Sequence, residues 1–318
     1  MKKPLVFAHR GALHHAPQNT AIAFTKAAEF GAQGVETDIH YTADHELVVI
    51  HNYTVDATSN GSGAVEQMTL AQLKELDFGA YKGDTFAGQR ILTLDEFLDL
   101  VKDFDQINVE LKGPATEQES YVQKVIDTIQ HKGLTDKVLI SGFDHKLLGM
   151  CKKACPEIRV GLIMVQLMAA KKILDGARAL LPADVPLSAI PKGALQITDE
   201  AVLRGLGLTP ETAATVIGDM LDAISAWMPG LTLDQVVAEL QKQADIMGYI
   251  QSIDYKVDFV HPEYRTVLAA PQLVDALNQM GIGVSVWTPD DPAALKKLMT
   301  MNLYGVITNR PDVALGVE

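Results

Sequence analysis

Gly34-Val35-Glu36-Thr37-Asp38-Ile39-His40 and Glu46-Leu47-Val48-Val49-Ile50-His51 are two strand-like runs with only Tyr41–His45 between them. A parallel crossover needs a dozen or more residues, so a link this short can only close an antiparallel hairpin. Further runs stand at Pro4–Ala8, Gln106–Lys112, Lys137–Ser141, Arg159–Met164, Lys256–Val260, Ile282–Trp287 and Gly305–Thr308. Short continuous apolar runs are the mark of strands buried on both faces of a parallel sheet. Helical patterns separate most of them. Thr20–Phe30 closes at Gly31, and Thr93–Phe104 opens on the capping-box spacing Thr93…Glu96. Tyr121–His131 closes before Gly133, Pro271–Met280 closes at Gly281, and Pro292–Met301 precedes the last strand. Once Glu46–His51 is set aside as the return arm of the hairpin, eight parallel strands remain, the number that closes a (β/α)8 barrel.

The chain has 318 residues, enough for one barrel with insertions. At 47% hydrophobic and 21% charged residues it has the composition of a folded globular protein. Its net charge of −13 argues against nucleic-acid binding and against adhesion to anionic membranes. A phosphate substrate remains compatible, because local cations or a metal reverse the field inside a cleft. No 18-residue apolar stretch predicts a transmembrane span. Lys2 and Lys3 precede too short an apolar run for a signal peptide. The two cysteines, Cys151 and Cys155, read as core thiols of a reducing compartment, so the expected location is cytoplasmic.

Two segments exceed ordinary loop lengths. Residues 52–90, with Ser59-Asn60-Gly61-Ser62-Gly63 and the glycines from Gly79 to Gly88, predict a small loop-rich excursion. Residues 166–250 predict a helical insertion, with Pro210–Trp227 and Thr232–Tyr249 carrying helical apolar spacing and Thr232…Gln235 a second capping-box spacing. The expected organisation is a single barrel over 1–318 with these two insertions, the second covering the carboxyl face of the barrel and offering a homo-oligomer surface.

Barrels place their chemistry at the carboxyl ends of the strands. His9-Arg10-Gly11 follows the first strand, and folding the hairpin about Ala43-Asp44 predicts Glu36 opposite His51 with Asp38 diagonal to it. Ile107-Asn108-Val109-Glu110-Leu111-Lys112 adds a third carboxylate and a lysine. Glu36, Asp38 and Glu110 are hard oxygen donors without sulfur, a set suited to one Mg²⁺ or Ca²⁺ ion. His9 and His51 have the ordinary titration range of a general acid and base. Arg10 and Lys112 either bind non-bridging phosphate oxygens or neutralise the carboxylates. Trp287 is either a core cap or an apolar wall of the pocket. His14, His15, His40, His131 and His145 read as surface or core fillers.

At these residues the chain resembles the glycerophosphodiester phosphodiesterase family. The matching pieces are His9-Arg10-Gly11, Pro17-Gln18-Asn19-Thr20, Glu36-Thr37-Asp38, Val48-Val49-Ile50-His51 and Val109-Glu110-Leu111-Lys112. Ser141-Gly142-Phe143-Asp144, Val286-Trp287-Thr288 and Ile307-Thr308-Asn309-Arg310-Pro311 extend the match over about residues 4–165 and 256–313. The resemblance implies a distorted (β/α)8 TIM barrel that hydrolyses glycerophosphodiesters to glycerol 3-phosphate and an alcohol. It further implies His9 and His51 as the acid/base pair, Glu36, Asp38 and Glu110 as ligands of one divalent cation, and Arg10 and Lys112 as phosphate binders. The substrate it implies is a small-molecule phosphodiester.

The chain departs from the family pattern at four positions. Gln18, Asn52 and Asn309 stand where the family usually has carboxylates, and Ala57 where an arginine is common. Intact metal and histidine positions point to a retuned site. Two rival expectations remain: a lysophospholipase D acting on lipid substrates, and a silenced binding or regulatory protein on the same scaffold.

Overall fold

A computed structural model of the chain describes residues 3–114, 116–164, 235, 238 and 245–316. Nine strands form one sheet among these residues: β1 (Leu5–His9), β2 (Gly34–Tyr41), β3 (Leu47–Val49), β4 (Gln106–Leu111), β5 (Val138–Gly142), β6 (Arg159–Met164), β7 (Phe259–Pro262), β8 (Gly283–Trp287) and β9 (Gly305–Thr308). Their order is β1-β9-β8-β7-β6-β5-β4-β2-β3, and β1 also pairs with β2. That extra pairing closes eight parallel strands into a barrel, with β3 attached antiparallel outside the ring.

The connecting helices take the crossover positions a parallel sheet requires. They are α1 (Ala21–Glu29), α2 (Leu70–Glu75), α3 (Leu94–Val101), α4 (Gln118–His131), α5 (His145–Ala154), α6 (Ile246–Gln251), α7 (Tyr264–Ala269), α8 (Gln272–Gln279), α9 (Pro292–Leu298) and α10 (Pro311–Leu315). α3 opens on the expected capping box, with the Thr93 side chain accepting from Glu96 N and Glu96 reaching back to Thr93 N. Its buried Leu94, Phe97, Leu98 and Val101 recur at helical spacing.

The floor of the barrel is filled by Phe7. A Cβ on Gly34 or on Gly305 would lie 2.6 Å from the Phe7 ring, so the two flanking strands need glycine to admit an aromatic group there. One storey higher, Asn108 Oδ1, Ser141 Oγ, both ring nitrogens of His261 and Ser285 Oγ are buried with no hydrogen-bond partner among the described residues. His261 is 1% exposed, and burial pushes its imidazole down to about 3, so it is neutral in the folded protein.

Two expectations are corrected. The hairpin register is Ile39↔Val49, His40↔Val48 and Tyr41↔Leu47, which centres the turn on Asp44. Thr42 Oγ1 donates to Asp44 Oδ1 and accepts from Glu46 N, and this side-chain staple sets a loop one residue off from the two-residue turn at Ala43-Asp44. Extended along the chain, this register sets Thr37, and not Glu36, against His51. The seventh strand begins at Phe259, and not at Lys256, with Asp258 just before it still tied by its backbone to both neighbouring strands: its N–H donates to Val160 O at 3.2 Å and its carbonyl accepts from Gly283 N at 3.0 Å. Its carboxylate pairs with Lys152 Nζ at 2.7 Å and Lys256 Nζ at 2.8 Å and accepts from Val160 N at 3.1 Å.

The excursion at 52–90 has its own apolar centre of Val48, Ile50, Val55, Val65, Leu73, Phe78 and Ile91. It returns to the loop after β1 through Tyr81, whose hydroxyl accepts from Gln18 N, and through Lys82, whose Nζ donates to Leu13 O. The chain divides into two compact units, Met1–Ile163 with Tyr255–Glu318, and Met164–Asp254. In the second, Asp245 caps α6 by accepting from Gly248 N. Apart from Gln235, Ala238 and residues 245–250, the segment expected as a helical insertion and oligomer surface lies outside the described residues. No helix among the described residues is long and apolar enough to cross a membrane.

Candidate active site

Parallel register assembles the carboxylates. β1 pairs His9 with Glu36, and β2 pairs Asp38 with Glu110, so three acidic side chains two residues or one strand apart share the barrel's inner face. One oxygen from each lies within 4.8 Å of the others, and the residues are 3%, 0% and 7% exposed. The backbone after β1 is bent into this cluster. Arg10 has φ of 54°, and its N–H donates to Glu36 O at 2.9 Å and Glu36 Oε2 at 3.1 Å.

Two cations balance the cluster. Lys112 Nζ donates to Glu110 Oε1 and lies 3.2 Å from Asp38 Oδ1. Arg10 Nε is 3.5 Å from Asp38 Oδ2, and its Nη1 donates to Gln18 Oε1 at 2.8 Å. Lys112 also stands 5.9 Å over the Phe143 ring. Phe143 meets Trp287 edge to face at 5.9 Å, and Trp287 Nε1 donates to His261 O at 2.8 Å. Trp287 therefore has one edge anchored in the barrel and one beside an aromatic wall next to Lys112.

Both histidines have an amide oxygen at Nδ1. His9 Nδ1 is 2.6 Å from Asn309 Oδ1, and His51 Nδ1 is 2.8 Å from Asn52 Oδ1. His9 Nε2 is 3.8 Å from Glu36 Oε2. Burial, with Arg10 second, pushes His9 down to about 3 against the opposing Asn309 hydrogen bond. Burial, Arg10 and Lys112 hold His51 well below its ordinary range.

The carboxylates titrate in opposite directions. Burial and the neighbouring Asp38 and Glu110 push Glu36 well above the carboxylate range. Burial raises Glu110 to about 6 in spite of Lys112. Asp38 feels the same burial, but Lys112 and Arg10 outweigh it and hold it well below the usual range. Burial also opposes the charge on Lys112, and Glu110 and Asp38 more than restore it. Asp38 Oδ1 accepts no well-directed hydrogen bond although it is buried. A buried carboxylate oxygen without a hydrogen-bond donor, two carboxyls raised by burial and by the neighbouring Asp38, and an all-oxygen donor set fit a hard divalent cation.

The matching pieces of the sequence thus converge in space at the carboxyl ends of β1, β2 and β4. The family model for the glycerophosphoryl diester phosphodiesterase family matches residues 9–186 and 221–313. The chain belongs to that family. A glycerophosphodiester phosphodiesterase of Caldanaerobacter subterraneus subsp. tengcongensis is 43% identical over 162 residues, 51% of this chain and 67% of the relative. This chain spans 61–67% of the length of that relative and of several other curated ones. An Oleispira antarctica phosphodiesterase solved with the product sn-glycerol-3-phosphate has the same fold, with TM-score 0.66 and 21% identity over 99% of this chain and 96% of that one. A glycerophosphodiester phosphodiesterase of Agrobacterium tumefaciens aligns at TM-score 0.63 and 21% identity over 99% of this chain and all of the other.

Sequence reasoning brought His9, Arg10, Glu36, Asp38, Glu110 and Lys112 to one place, and the family's barrel holds them there. It missed Asn19, which is 4% exposed, donates from Nδ2 to Asp38 Oδ2 at 3.1 Å and accepts from Thr37 Oγ1 at 2.9 Å. The available signal was its place in Pro17-Gln18-Asn19-Thr20. It also undervalued His40, buried behind the hairpin, whose Nε2 donates to His51 O at 3.1 Å and so fixes the backbone that carries His51. His145 is a true core residue, donating from Nε2 to Ile163 O at 3.1 Å. Gln18 and Asn309 sit inside the site as hydrogen-bond partners of Arg10 and His9.

Proposed function

We propose that the chain hydrolyses glycerophosphodiesters to glycerol 3-phosphate and an alcohol, with Glu36, Asp38 and Glu110 holding one divalent cation, Mg²⁺ or Ca²⁺. The observation that carries this reading is three buried carboxylate oxygens within 4.8 Å of one another, bordered by Arg10 and Lys112 and by His9 against Glu36. When bound, such a cation withdraws charge from the phosphoryl oxygens.

Arg10 and Lys112 bind the non-bridging oxygens, Arg10 with a guanidinium already oriented by Gln18 and Lys112 as a point charge. The negative phosphodiester offsets these two cations, which with burial are what depress the histidines. One histidine takes the proton of the nucleophile as its oxygen bonds to phosphorus, the nucleophile being water or the substrate's neighbouring glycerol hydroxyl, whose cyclic phosphate water then opens. The other gives a proton to the alcohol oxygen as its bond to phosphorus breaks. Trp287 and Phe143 form an apolar wall beside the phosphate site. The amides at 18, 52 and 309 each accept a hydrogen bond from a group used in this scheme, which supports retuning over silencing.

Phosphorus NMR of turnover with glycerophosphocholine, glycerophosphoethanolamine and a lysophospholipid, with and without chelator, tests the proposal. Release of glycerol 3-phosphate from the water-soluble diesters, stopped by the chelator, is the expected result. Turnover of the lysolipid alone would favour the lysophospholipase D alternative, and no turnover of any would favour a binding role.

A further inference from the structure

Asp290 follows β8 on the loop that leads to α9, and none of the roles above uses it. Its carboxylate gathers three donors from the end of β9. Oδ1 accepts from Thr308 Oγ1 at 3.0 Å and from Asn309 N at 2.9 Å, and Oδ2 accepts from Asn309 Nδ2 at 2.6 Å. A carboxylate only accepts, so the last contact decides which end of the Asn309 amide faces it. Nδ2 is turned to Asp290, which leaves Oδ1 turned to His9 Nδ1, 2.6 Å away. An amide oxygen also only accepts, so the proton in that second hydrogen bond resides on His9 Nδ1. A neutral imidazole has one N–H, and the lone pair is then on Nε2, the atom that faces Glu36 and the carboxylate cluster.

We infer that Asp290 is a positioning residue that sets the tautomer of His9 through Asn309, so that His9 presents Nε2 to the reaction as a proton acceptor. The inference rests on the acid/base role proposed for His9. It also accounts for the amide at 309. An asparagine side chain there is ambiguous, since a half-turn about its last bond would present Nδ2–H to His9 and drive the imidazole proton to Nε2. Asp290 removes the ambiguity by holding the donor end of the amide. The carboxylate that the family pattern places next to the histidine is here one amide further away, and the Asn309 side chain transmits its directional effect without its charge. His51 contrasts with this arrangement: Asn52 Oδ1 meets its Nδ1, yet among the described residues no carboxylate holds the Asn52 amide.

The experiment compares the wild type, Asp290→Asn, Asn309→Asp and the double variant Asp290→Asn/Asn309→Asp. Two readouts are used: the ¹⁵N resonances of His9, assigned with His9→Gln, and steady-state turnover of glycerophosphocholine with divalent cation present. The wild type should show His9 protonated at Nδ1 at neutral pH. Asp290→Asn should move the proton toward Nε2 and lower kcat by roughly 10²–10⁴-fold with little change in KM, the size of a general-base contribution. The double variant should regain the Nδ1–H form and most of the lost rate, because a carboxylate at 309 accepts from Nδ1 whatever stands at 290. A residue that merely braced Thr308 and the Asn309 backbone would leave the double variant as impaired as the single one, which would overturn the inference. A wild-type spectrum with the proton on Nε2 would overturn it without any variant, so a misfolded Asp290→Asn leaves it testable. A tautomer that follows Asp290 while turnover stays unchanged would support the positioning and refute the acid/base role of His9.

Discussion

Lys112→Met removes the ammonium from among three buried carboxylates while keeping a side chain of similar length. In the folded protein Lys112 Nζ touches Glu110 Oε1 and stands 3.2 Å from Asp38 Oδ1, and the lysine is 6% exposed. A unit-charge pair at that separation interacts by about 5 kcal/mol at an effective dielectric of roughly 20. Part of this is recovered because Glu110, already raised to about 6, then takes up a proton, and Asp38 keeps Arg10 as a counter-charge on its other oxygen while losing that of Lys112. The remaining cost is that of stranding one buried partner, about 3–5 kcal/mol. For a domain of this size each kcal/mol shifts Tm by about 2–4 °C, so the chelated variant should melt roughly 6–20 °C below the chelated wild type. A divalent cation replaces the lost positive charge, so excess Mg²⁺ or Ca²⁺ should stabilise the variant more than the wild type. Thermal unfolding followed by circular dichroism, with chelator and with each cation, measures both quantities. A chelated variant as stable as the chelated wild type would show that Lys112 does not balance the carboxylates, and the electrostatic account of the site would fail.

Glu36→Gln keeps the shape of the side chain but removes one of three charged ligands, and isothermal titration should show Mg²⁺ and Ca²⁺ affinity reduced by two orders of magnitude or more, as hard cations require; unchanged affinity would place the ion elsewhere. His9→Ala and His51→Ala should each lower turnover by roughly 10²–10⁴-fold, and the double variant by far less than their product; a multiplicative loss would mean that the two act in separate steps. Asn52→Asp sets a carboxylate 2.8 Å from His51 Nδ1, where the amide oxygen now stands, and should raise the His51 pKa and extend the acid form to higher pH, read as an upward-shifted limb of the pH–rate profile. For His261, the unfolded chain binds a proton below about 6.5 that the folded chain refuses until about 3, so folding stability should fall by about 1.4 kcal/mol per pH unit over that window and level off below it. His261→Asn should flatten the slope of denaturant-measured stability against pH between those limits, and an unaltered slope would locate acid sensitivity in other groups.

The eight-strand barrel was legible from a single distance along the chain. Tyr41–His45 is too short for a crossover, so one of nine apolar runs had to be the return arm, and the remaining eight had to be parallel. Period and turn chemistry are local, which is why the capping box at Thr93 and the ends of most strands could be read directly. The carboxylate trio was equally legible, because residues two apart on a strand share a face and Glu36, Asp38 and Glu110 lie on strands that a barrel sets side by side.

What lay beyond sequence reading was whatever depends on partners far along the chain. The hairpin register shifted by one residue because the Thr42 hydroxyl and Asp44 carboxylate form a local staple that apolar patterning does not encode. The seventh strand starts at Phe259, and the Asp258 before it pairs with Lys152, about a hundred residues away in sequence, a contact no local pattern announces. Asn19 and His40 resemble ordinary polar residues until Asp38 and the His51 carbonyl are placed against them. The sequence alone determines strand count, inner faces and the inventory of charged groups, since these follow from periodicity and spacing. Tertiary structure decides which nitrogen of His9 bears its proton and which carboxylate stays charged. Those properties belong to desolvation and to hydrogen bonds between residues such as His9 and Asn309, which only the closure of β9 onto β1 brings into contact.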